Sequence, residues 1–331
     1  MTDGTPGSDP ATEAAAPVTT DDGAATDGGE TVVSGSSAEG EGSTRESPAV
    51  RRTKAFAARV RRNRLASGGL VIMSAFVFVA VFAPILAPYD PAVVDVPNRL
   101  QAPSADHLMG TDRYGRDVFS RVLLGARIAA QVAVATPLVA MSIGVPIGLV
   151  AGYVGGRTDD GLMRLMDAIF AFPTILLGLT LVAVFGQSLT NIVLALGIVF
   201  IPQFARITRG SAVSVAQEEH VRAARSLGAS NARILLLHVL PFCISAILVQ
   251  ATITGALAII LESSLSFLGV GVPPPQPSWG SMLRVGKGYI NSGEWWYSVF
   301  PGLAIVASVL GFNLLGDGLR DVLDPRSDPN R

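Results

Sequence analysis

Charged residues and cysteines are scarce in this sequence. Of its 331 residues, 15% are charged and one is cysteine, whereas an ordinary soluble domain has about 25% charged residues. One cysteine excludes an intrachain disulfide and a cysteine-based metal site. The three histidines (His107, His220 and His238) are far apart and lack ligand-like spacing. We therefore predict neither a cytosolic enzyme nor a nucleic-acid-binding protein, and no catalytic, cofactor-binding or metal residues.

The few charges are unevenly distributed along the chain. Residues 1–50 hold ten acidic residues and one basic residue, whereas residues 51–331 hold 16 acidic and 24 basic residues. Large apolar side chains are almost absent from 1–50, so this segment cannot bury enough surface to offset the entropy of ordering. We predict a disordered acidic tail over 1–50, followed by a basic juxtamembrane segment over 51–64.

Long apolar runs with almost no charge predict six membrane-spanning helices. About 20 apolar residues suffice to cross a bilayer as a helix, and continuous rather than alternating runs exclude a barrel. One uncharged run of about 38 residues, 168–205, is divided into two spans by a polar stretch at 186–191. The sequence thus predicts an all-α polytopic membrane protein with a six-span domain over 65–325. The predicted spans are 66–88, 128–154, 168–186, 191–206, 240–262 and 297–316.

Basic residues predict the orientation of these spans in the cell membrane. A basic cluster directly before the first span places the N-terminus in the cytoplasm. Six spans then place the short C-terminal tail, 326–331, in the cytoplasm as well, with about 18 basic residues inside and about 7 outside. The exception is the dense group at 113–127, which we interpret as a short interfacial helix over 116–126. Asp117 and Arg121 are predicted to form an ion pair on it, four residues apart.

The sequence contains no evident energy source for transport. The Walker A pattern is absent, and the spans hold almost no ionisable residues of the kind found in secondary transporters. Glu262 is the main exception, and we interpret it as a group at the outer end of the fifth span. These absences favour a transport subunit that receives energy from a partner. A secondary transporter and a membrane scaffold remain as alternatives.

The predicted cytoplasmic loop at 206–240 contains a candidate docking helix. Acidic residues begin and basic residues end the run Gln217–Leu227, as the helix dipole favours, and Gly228 follows as a C-terminal cap. Ser230 is placed to cap a second helix that leads into the fifth span. Val221, Ala224 and Gly228 share a face of small residues, which suits a close fit in a groove of another protein.

Three stretches resemble permeases of the dipeptide/oligopeptide/nickel family of ABC importers. The run His220–Ser230, followed by His238–Pro241, is similar to the EAA loop of such permeases, with Arg222 where the motif has glutamate. The run Met109–Arg121 resembles the G-T-D-x-x-G-R-D-x-x-S-R signature of the C-type subunit of this family. The run Leu265–Gly280 resembles the family's outer loop before the last span. The three occur in order, and the resemblance covers about residues 65–325.

This resemblance implies a type I ABC importer permease fold and a set of partners. The chain would form half of the translocation pathway beside a second, B-type permease subunit, within membrane lipid. Two cytoplasmic ABC ATPase subunits would bind ATP and magnesium, and an extracytoplasmic substrate-binding protein would deliver peptides. A nickel or other small-solute importer is the alternative within the family.

The resemblance also assigns candidate site residues. The helix at 218–228 would be the coupling helix seated on an ATPase. The coupling residues would be Val221, Arg222, Ala223, Ala224, Leu227, Gly228, Leu240 and Pro241. The family signature, whose role is left open, consists of Gly110, Thr111, Asp112, Gly115, Arg116, Asp117, Ser120 and Arg121.

Overall fold

The computed structural model describes residues 64–323, and this part of the chain is built from α-helices without a β-strand. The predicted tails 1–50 and 326–331 lie outside the described residues, as does nearly all of the basic segment 51–64. In chain order the α-helices are α1 (Arg64–Leu86), α2 (Val118–Val154), α3 (Gly156–Phe170), α4 (Thr174–Phe185), α5 (Leu189–Val215), α6 (Glu219–Ser226), α7 (Asn231–Ile234), α8 (Leu240–Leu268), α9 (Trp279–Gly286) and α10 (Trp296–Leu323).

Within residues 64–323, five helical stretches are long and apolar enough to cross a membrane. They are α1, α2, α5, α10 and the continuous stretch Asn231–Leu268, in which a π-helical turn at Leu235–Val239 joins α7 to α8. A sixth crossing is obtained if α3 and α4 are counted together. The chain is therefore a multi-pass membrane protein of the predicted helical class.

The predicted third span, 168–186, is not one straight helix. The chain bends by 84° between α3 and α4, and Pro173 stands at the bend as the residue before α4. Proline lacks a backbone N–H and disfavours a helical residue before it, so it ends one helix and allows the next to begin. The uncharged run indicates which residues can lie within the bilayer, but it does not indicate that the chain changes direction there.

The predicted short interfacial helix at 116–126 is also wrong as a separate element. One helix of 37 residues, α2, begins at Val118 and runs without a break into and through the predicted span at 128–154. Val118, Ala126 and Ile128, which follow one another along α2, are all buried within the helical bundle. A helix of this length is about 55 Å long, whereas the bilayer core is about 30 Å thick. An upright α2 is therefore longer than the hydrocarbon core is thick.

Helices α2 and α5 pack through a stripe of glycines. Gly144, Gly148 and Gly152 follow one another every four residues on α2, and a Cβ atom at any of them would overlap a carbonyl oxygen of α5. Small residues at this spacing allow two backbones to approach closely. Two ion pairs, Arg206–Asp167 and Arg209–Asp159, join α5 to α3. The result is a tightly packed helical pair around which the other spans are arranged.

We name the two ends of the helical bundle by the sequence motifs that lie there. The signature end contains residues 109–121, which begin α2, and the segment 269–287, which follows α8. The loop end contains α6 and α7, close to where α2 ends and α8 begins. Helices α2 and α8 connect the two ends in opposite directions.

Candidate functional site

At the signature end, the carboxylate of Asp112 organises the surrounding residues. Asp112 is fully buried. One of its oxygens accepts hydrogen bonds from the backbone N–H groups of Tyr114 and Arg116, at 2.7 and 3.0 Å. The other oxygen accepts from Nε of Arg116 at 2.7 Å and lies 3.7 Å from Nε of Arg121. One carboxylate therefore closes a turn and neutralises a neighbouring guanidinium.

Asp117 is the second buried acid of the signature, and it begins α2. Its side chain accepts from the backbone N–H and the hydroxyl of Ser120, both at 2.7 Å, which makes it the N-terminal cap of the helix. Nδ1 of His107 lies 2.9 Å from the other oxygen. The predicted ion pair between Asp117 and Arg121 is wrong, because the cap and His107 occupy the Asp117 carboxylate. Arg121 is directed to Asp112 and to the carbonyl of Pro91.

The glycines of the signature allow close approaches that a side chain would block. Gly110 and Gly115 have φ angles of 71° and 79°. A Cβ on Gly110 would overlap the Trp296 indole, and one on Gly115 would overlap the carbonyl of Asp95. Thr111 lies between them, fully buried, and donates its hydroxyl to the carbonyl of Asn98 at 2.6 Å. The signature thus forms a compact turn, and most of its buried polar groups hydrogen-bond to other residues of this chain.

Two tryptophans connect the signature to the rest of this end. Nε1 of Trp296 donates to the carbonyl of Thr111 at 3.2 Å. Nε1 of Trp279 donates to the carbonyl of Val122 at 2.9 Å, and its indole lies against Gly125. These bonds join the signature turn to the start of α10, and the first turns of α2 to the end of the predicted outer loop, across more than 150 residues of sequence.

The interpretation of Glu262 as a group at the outer end of its helix is wrong, because the helix does not end there. α8 continues to Leu268, and Glu262 is 1% exposed. Its carboxylate accepts from the hydroxyl of Ser266 at 2.7 Å and lies 3.4 Å from that of Ser263. Gly271 and Gly280 are packed tightly against these two serines. The acid therefore supports the loop between α8 and α9 from within.

At the loop end, α6 and α7 have the caps that the sequence predicts. The backbone N–H groups of Gly228 and Ala229 donate to the carbonyls of Arg225 and Ala224, at 3.0 and 3.1 Å. Gly228 has a φ of 80°, so the end of α6 is a Schellman motif. The hydroxyl of Ser230 accepts from the N–H of Arg233 at the start of α7.

The face of α6 that was predicted to fit another protein in fact faces this chain. Val221 is fully buried, and Ala224 packs against the same apolar cluster. The opposite face is exposed: Arg222, Ala223 and Leu227 are accessible, and Leu227 is 88% exposed. The prediction is wrong for Val221 and Ala224, because helical periodicity reports a face and not which partner covers it.

The remaining candidate coupling residues form the joint between α6 and the spans. Gly228 is exposed at the end of α6, Leu240 is half-buried, and Pro241 is exposed in the first turn of α8. The Tyr153 hydroxyl donates to the side chain of Asn231 at 3.0 Å, and the guanidinium of Arg225 lies 5.2 Å from the centre of the Tyr153 ring. These contacts attach the loop to the last turn of α2.

Each end also depends on residues that the sequence analysis did not identify as part of a site. His107, Trp296 and Asp95 complete the signature turn, and Tyr153 holds the loop. Each acts through a partner at least ten residues away, so local spacing gives no clue to the pairing. Over residues 64–323, no three His, Cys, Asp or Glu side chains lie together in a way that could hold a metal ion.

Comparison with known families identifies the class of protein. Residues 144–329 match the family of binding-protein-dependent transport system inner membrane components. Residues 52–103 match the N-terminal transmembrane domain of oligopeptide transport permease C. The chain belongs to the binding-protein-dependent transport system inner membrane component family, and it is a permease component of that class.

Individual relatives resemble the chain over most of its length. It is 43% identical to a dipeptide transport system permease protein of Alkalihalophilus pseudofirmus, over 81% of this chain and 88% of the relative. It is 41% identical to a di/tripeptide transport system permease protein of Pseudomonas aeruginosa, over 80% of this chain and 89% of the relative. It is 44% identical to a glutathione transport system permease protein of Escherichia coli, over 82% of this chain and 89% of the relative.

Proposed function

We propose that this chain is one of two permease subunits of an ATP-driven importer of short peptides. A second permease subunit completes the pathway, two cytoplasmic ATPase subunits supply the energy, and an extracytoplasmic binding protein delivers the peptide. Family membership supports the transport role, and the peptide permeases among the relatives support the substrate class over nickel.

The exposed face of α6 is the observation that carries the coupling role. An isolated helix of eight residues is marginal in water, yet α6 is ended by a Schellman motif and anchored by the buried Val221. Its free face presents Leu227, an apolar side chain that water surrounds in the absence of a partner. Closure of the ATPase subunits would move α6, and its anchorage near α2 and α8 would transmit the movement to the spans.

An Ala223→Asp variant tests this coupling role. The new carboxylate would stand on the exposed face of α6 and be desolvated in an ATPase groove, so we expect loss of ATPase co-purification or of substrate-stimulated ATP hydrolysis. Ala105→Asp is the matched control, because it adds the same charge to an exposed alanine at the signature end. Unchanged ATPase association and unchanged hydrolysis in Ala223→Asp, at a normal membrane level, would reject the assignment.

The proposed orientation places the loop end and both termini in the cytoplasm. It rests on the excess of basic residues at that side and is tested by cysteine labelling after replacement of the buried Cys243. Arg225→Cys should react with an impermeant maleimide only in inverted vesicles, and Gln276→Cys only in intact cells. Both side chains are exposed, so the reverse pattern would show that the orientation is wrong.

A further inference from the structure

A large cavity at the signature end has no role in the function described so far. It measures about 950 Å³ and lies between the signature turn, the loop after α8, and α9. Small-molecule sites in proteins have volumes of about 300–1,000 Å³. The cavity is thus large enough for a short peptide.

The cavity is strongly cationic. Among the described residues that line it there is no acidic side chain. Asp112 stands behind the wall, and its single charge is already engaged by Arg116. The positively charged lining residues are Arg113, Arg116, Arg121, Arg284 and Lys287. The excess of positive charge is therefore about four, which favours an anionic ligand.

Arg121 adds a buried positive charge to the wall of the cavity. It is 5% exposed and lines the cavity. Its Nη1 donates to the carbonyl of Pro91 at 2.9 Å, but its Nε has no hydrogen-bond partner and lies 3.7 Å from the Asp112 carboxylate. This Nε atom is closed off from solvent on the Asp112 side, so what Arg121 offers the cavity is the positive charge of its guanidinium.

Two further cations stand at accessible positions of the same cavity. The guanidinium of Arg284 lies so close to Gly269 that a Cβ there would overlap it. The ammonium of Lys287 lies 4.7 Å from the centre of the Phe267 ring. Both side chains are exposed and have no acidic partner among the described ion pairs. They can therefore meet an incoming anion before it reaches Arg121.

The rest of the wall suits a peptide rather than a simple inorganic anion. Val272, Met282, Val285 and Tyr297 add apolar surface beside the cations. Such a wall can hold different side chains while the cations hold a carboxylate, the one anionic group that all unmodified peptides share. A concave site of this kind is reached by a small ligand more readily than by an acidic side chain on another protein's surface.

We propose that this cavity receives the C-terminal carboxylate of the peptide as it leaves the binding protein. Arg284 and Lys287 attract the carboxylate at accessible positions, and the buried Arg121 adds positive charge to the wall behind them. The inference rests on the proposed function, because it takes the signature end as extracytoplasmic and peptides as the substrate. It adds a specificity for a free carboxylate within the permease itself.

Photo-crosslinking in the native complex tests the proposal directly. The complex would be isolated from its source membrane, placed in nanodiscs with its binding protein, and exposed to a dipeptide that carries a diazirine side chain. We expect labelling of the cavity wall at Met282 or Val285, lowered about tenfold when the dipeptide is a C-terminal amide. An Arg284→Gln/Lys287→Gln double variant should lose labelling to the same extent.

Controls separate charge recognition from damage to the fold. Arg99→Gln removes an exposed cation at the same end but outside the cavity lining, and it should leave labelling unchanged. An Arg284→Lys/Lys287→Arg variant keeps both charges and should retain most of the labelling. Undiminished labelling in the double glutamine variant, equal labelling by the amide, or labelling confined to other regions would overturn the proposal.

Two more measurements distinguish the alternatives. If the cavity binds an acidic side chain of the binding protein instead, the double variant will weaken binding-protein affinity for the complex and lower the labelling by peptide and amide equally, which overturns the proposal. Dipeptide uptake by cells with the unmodified chain tests the proposed function separately. Absent uptake refutes that function, whereas normal uptake with undiminished labelling in the double variant refutes the carboxylate site alone.

Discussion

The two ends of this molecule carry motifs that are equally recognisable in the sequence, but one motif is buried within the fold and the other leaves a face exposed. At the signature end, Asp112 and Asp117 are buried, and their oxygens accept hydrogen bonds from the same segment and from His107. At the loop end, α6 keeps one face in the chain and leaves Leu227 almost fully exposed. A recognisable motif can therefore mark an interior structure or a surface for a partner, and only burial separates the two.

The difference also concerns how each motif is stabilised. Removing Asp112 would leave the partly buried guanidinium of Arg116 without its acceptor and the buried guanidinium of Arg121 without its nearest opposite charge, so the signature turn depends on this acid. α6 depends instead on a cap and on one buried residue, Val221, and its exposed residues contribute little to its own stability. Substitutions at the first end should act on folding, and substitutions at the second end on coupling.

Of the substitutions that test this difference between the two ends, Asp112→Ala should lower the stability of the fold the most. It removes the acceptor of two backbone N–H groups and of the Arg116 side chain. We expect a loss of about 3 kcal/mol or more in the free energy of unfolding, because one member of a buried ion pair is removed. The measurement is the Tm of the purified chain in detergent, with Asp106→Ala, an exposed position, as control. Equal Tm values for the two variants would refute the structural role of Asp112.

A pair of Gly→Ala substitutions compares the two ends at constant backbone geometry. Gly115 and Gly228 have nearly the same φ, 79° and 80°. A Cβ on Gly115 would overlap the carbonyl of Asp95, whereas nothing lies within 4 Å of one on Gly228. We expect Gly228→Ala to cost about 1 kcal/mol from left-handed backbone strain alone, and Gly115→Ala to cost clearly more, since the backbone of 95–115 must also shift.

The same detergent melting experiment measures both glycine variants. A larger fall in Tm for Gly115→Ala supports the contrast between a crowded turn and an open cap. Equal falls would mean that backbone strain dominates at both sites and that the packing around the signature turn is adaptable.

The sequence predicts the helical class and the principal motifs because these depend on local composition. Apolar runs longer than a bilayer crossing, Gly228 at the end of α6, and Ser230 before α7 are visible without knowledge of the fold. The bend at Pro173 and the continuity of α2 were not predicted. The bend has a local cause, Pro173, which a hydropathy run does not register, and the continuity of α2 follows from burial among neighbouring helices, which hydropathy does not contain either.

The candidate sites show the same limit. The residues of the signature are recognisable by resemblance, but their roles depend on distant partners such as Trp296, 185 residues from Thr111. The buried face of α6 was assigned to a partner protein because periodicity identifies two faces without assigning either. The cations of the cavity appeared only as exceptions to the excess of basic residues inside.

A Leu227→Ala substitution should have the smallest effect on stability and still test the comparison. Leu227 is the C-cap residue of α6, but the cap bonds are made by the backbone and the side chain is 88% exposed. Exposed substitutions that leave the cap bonds and the core unchanged alter the free energy of unfolding by about 0.5 kcal/mol or less. The Tm should therefore stay unchanged, unlike that of Asp112→Ala. If Leu227 fills an apolar pocket on an ATPase, truncation removes roughly 1–2 kcal/mol of apolar contact, and ATPase affinity should fall about tenfold in a co-purification titration. A fall in Tm without loss of affinity would show that the exposed face of α6 stabilises the fold. It would refute the claim that substitutions at the signature end act on folding and those at the loop end on coupling.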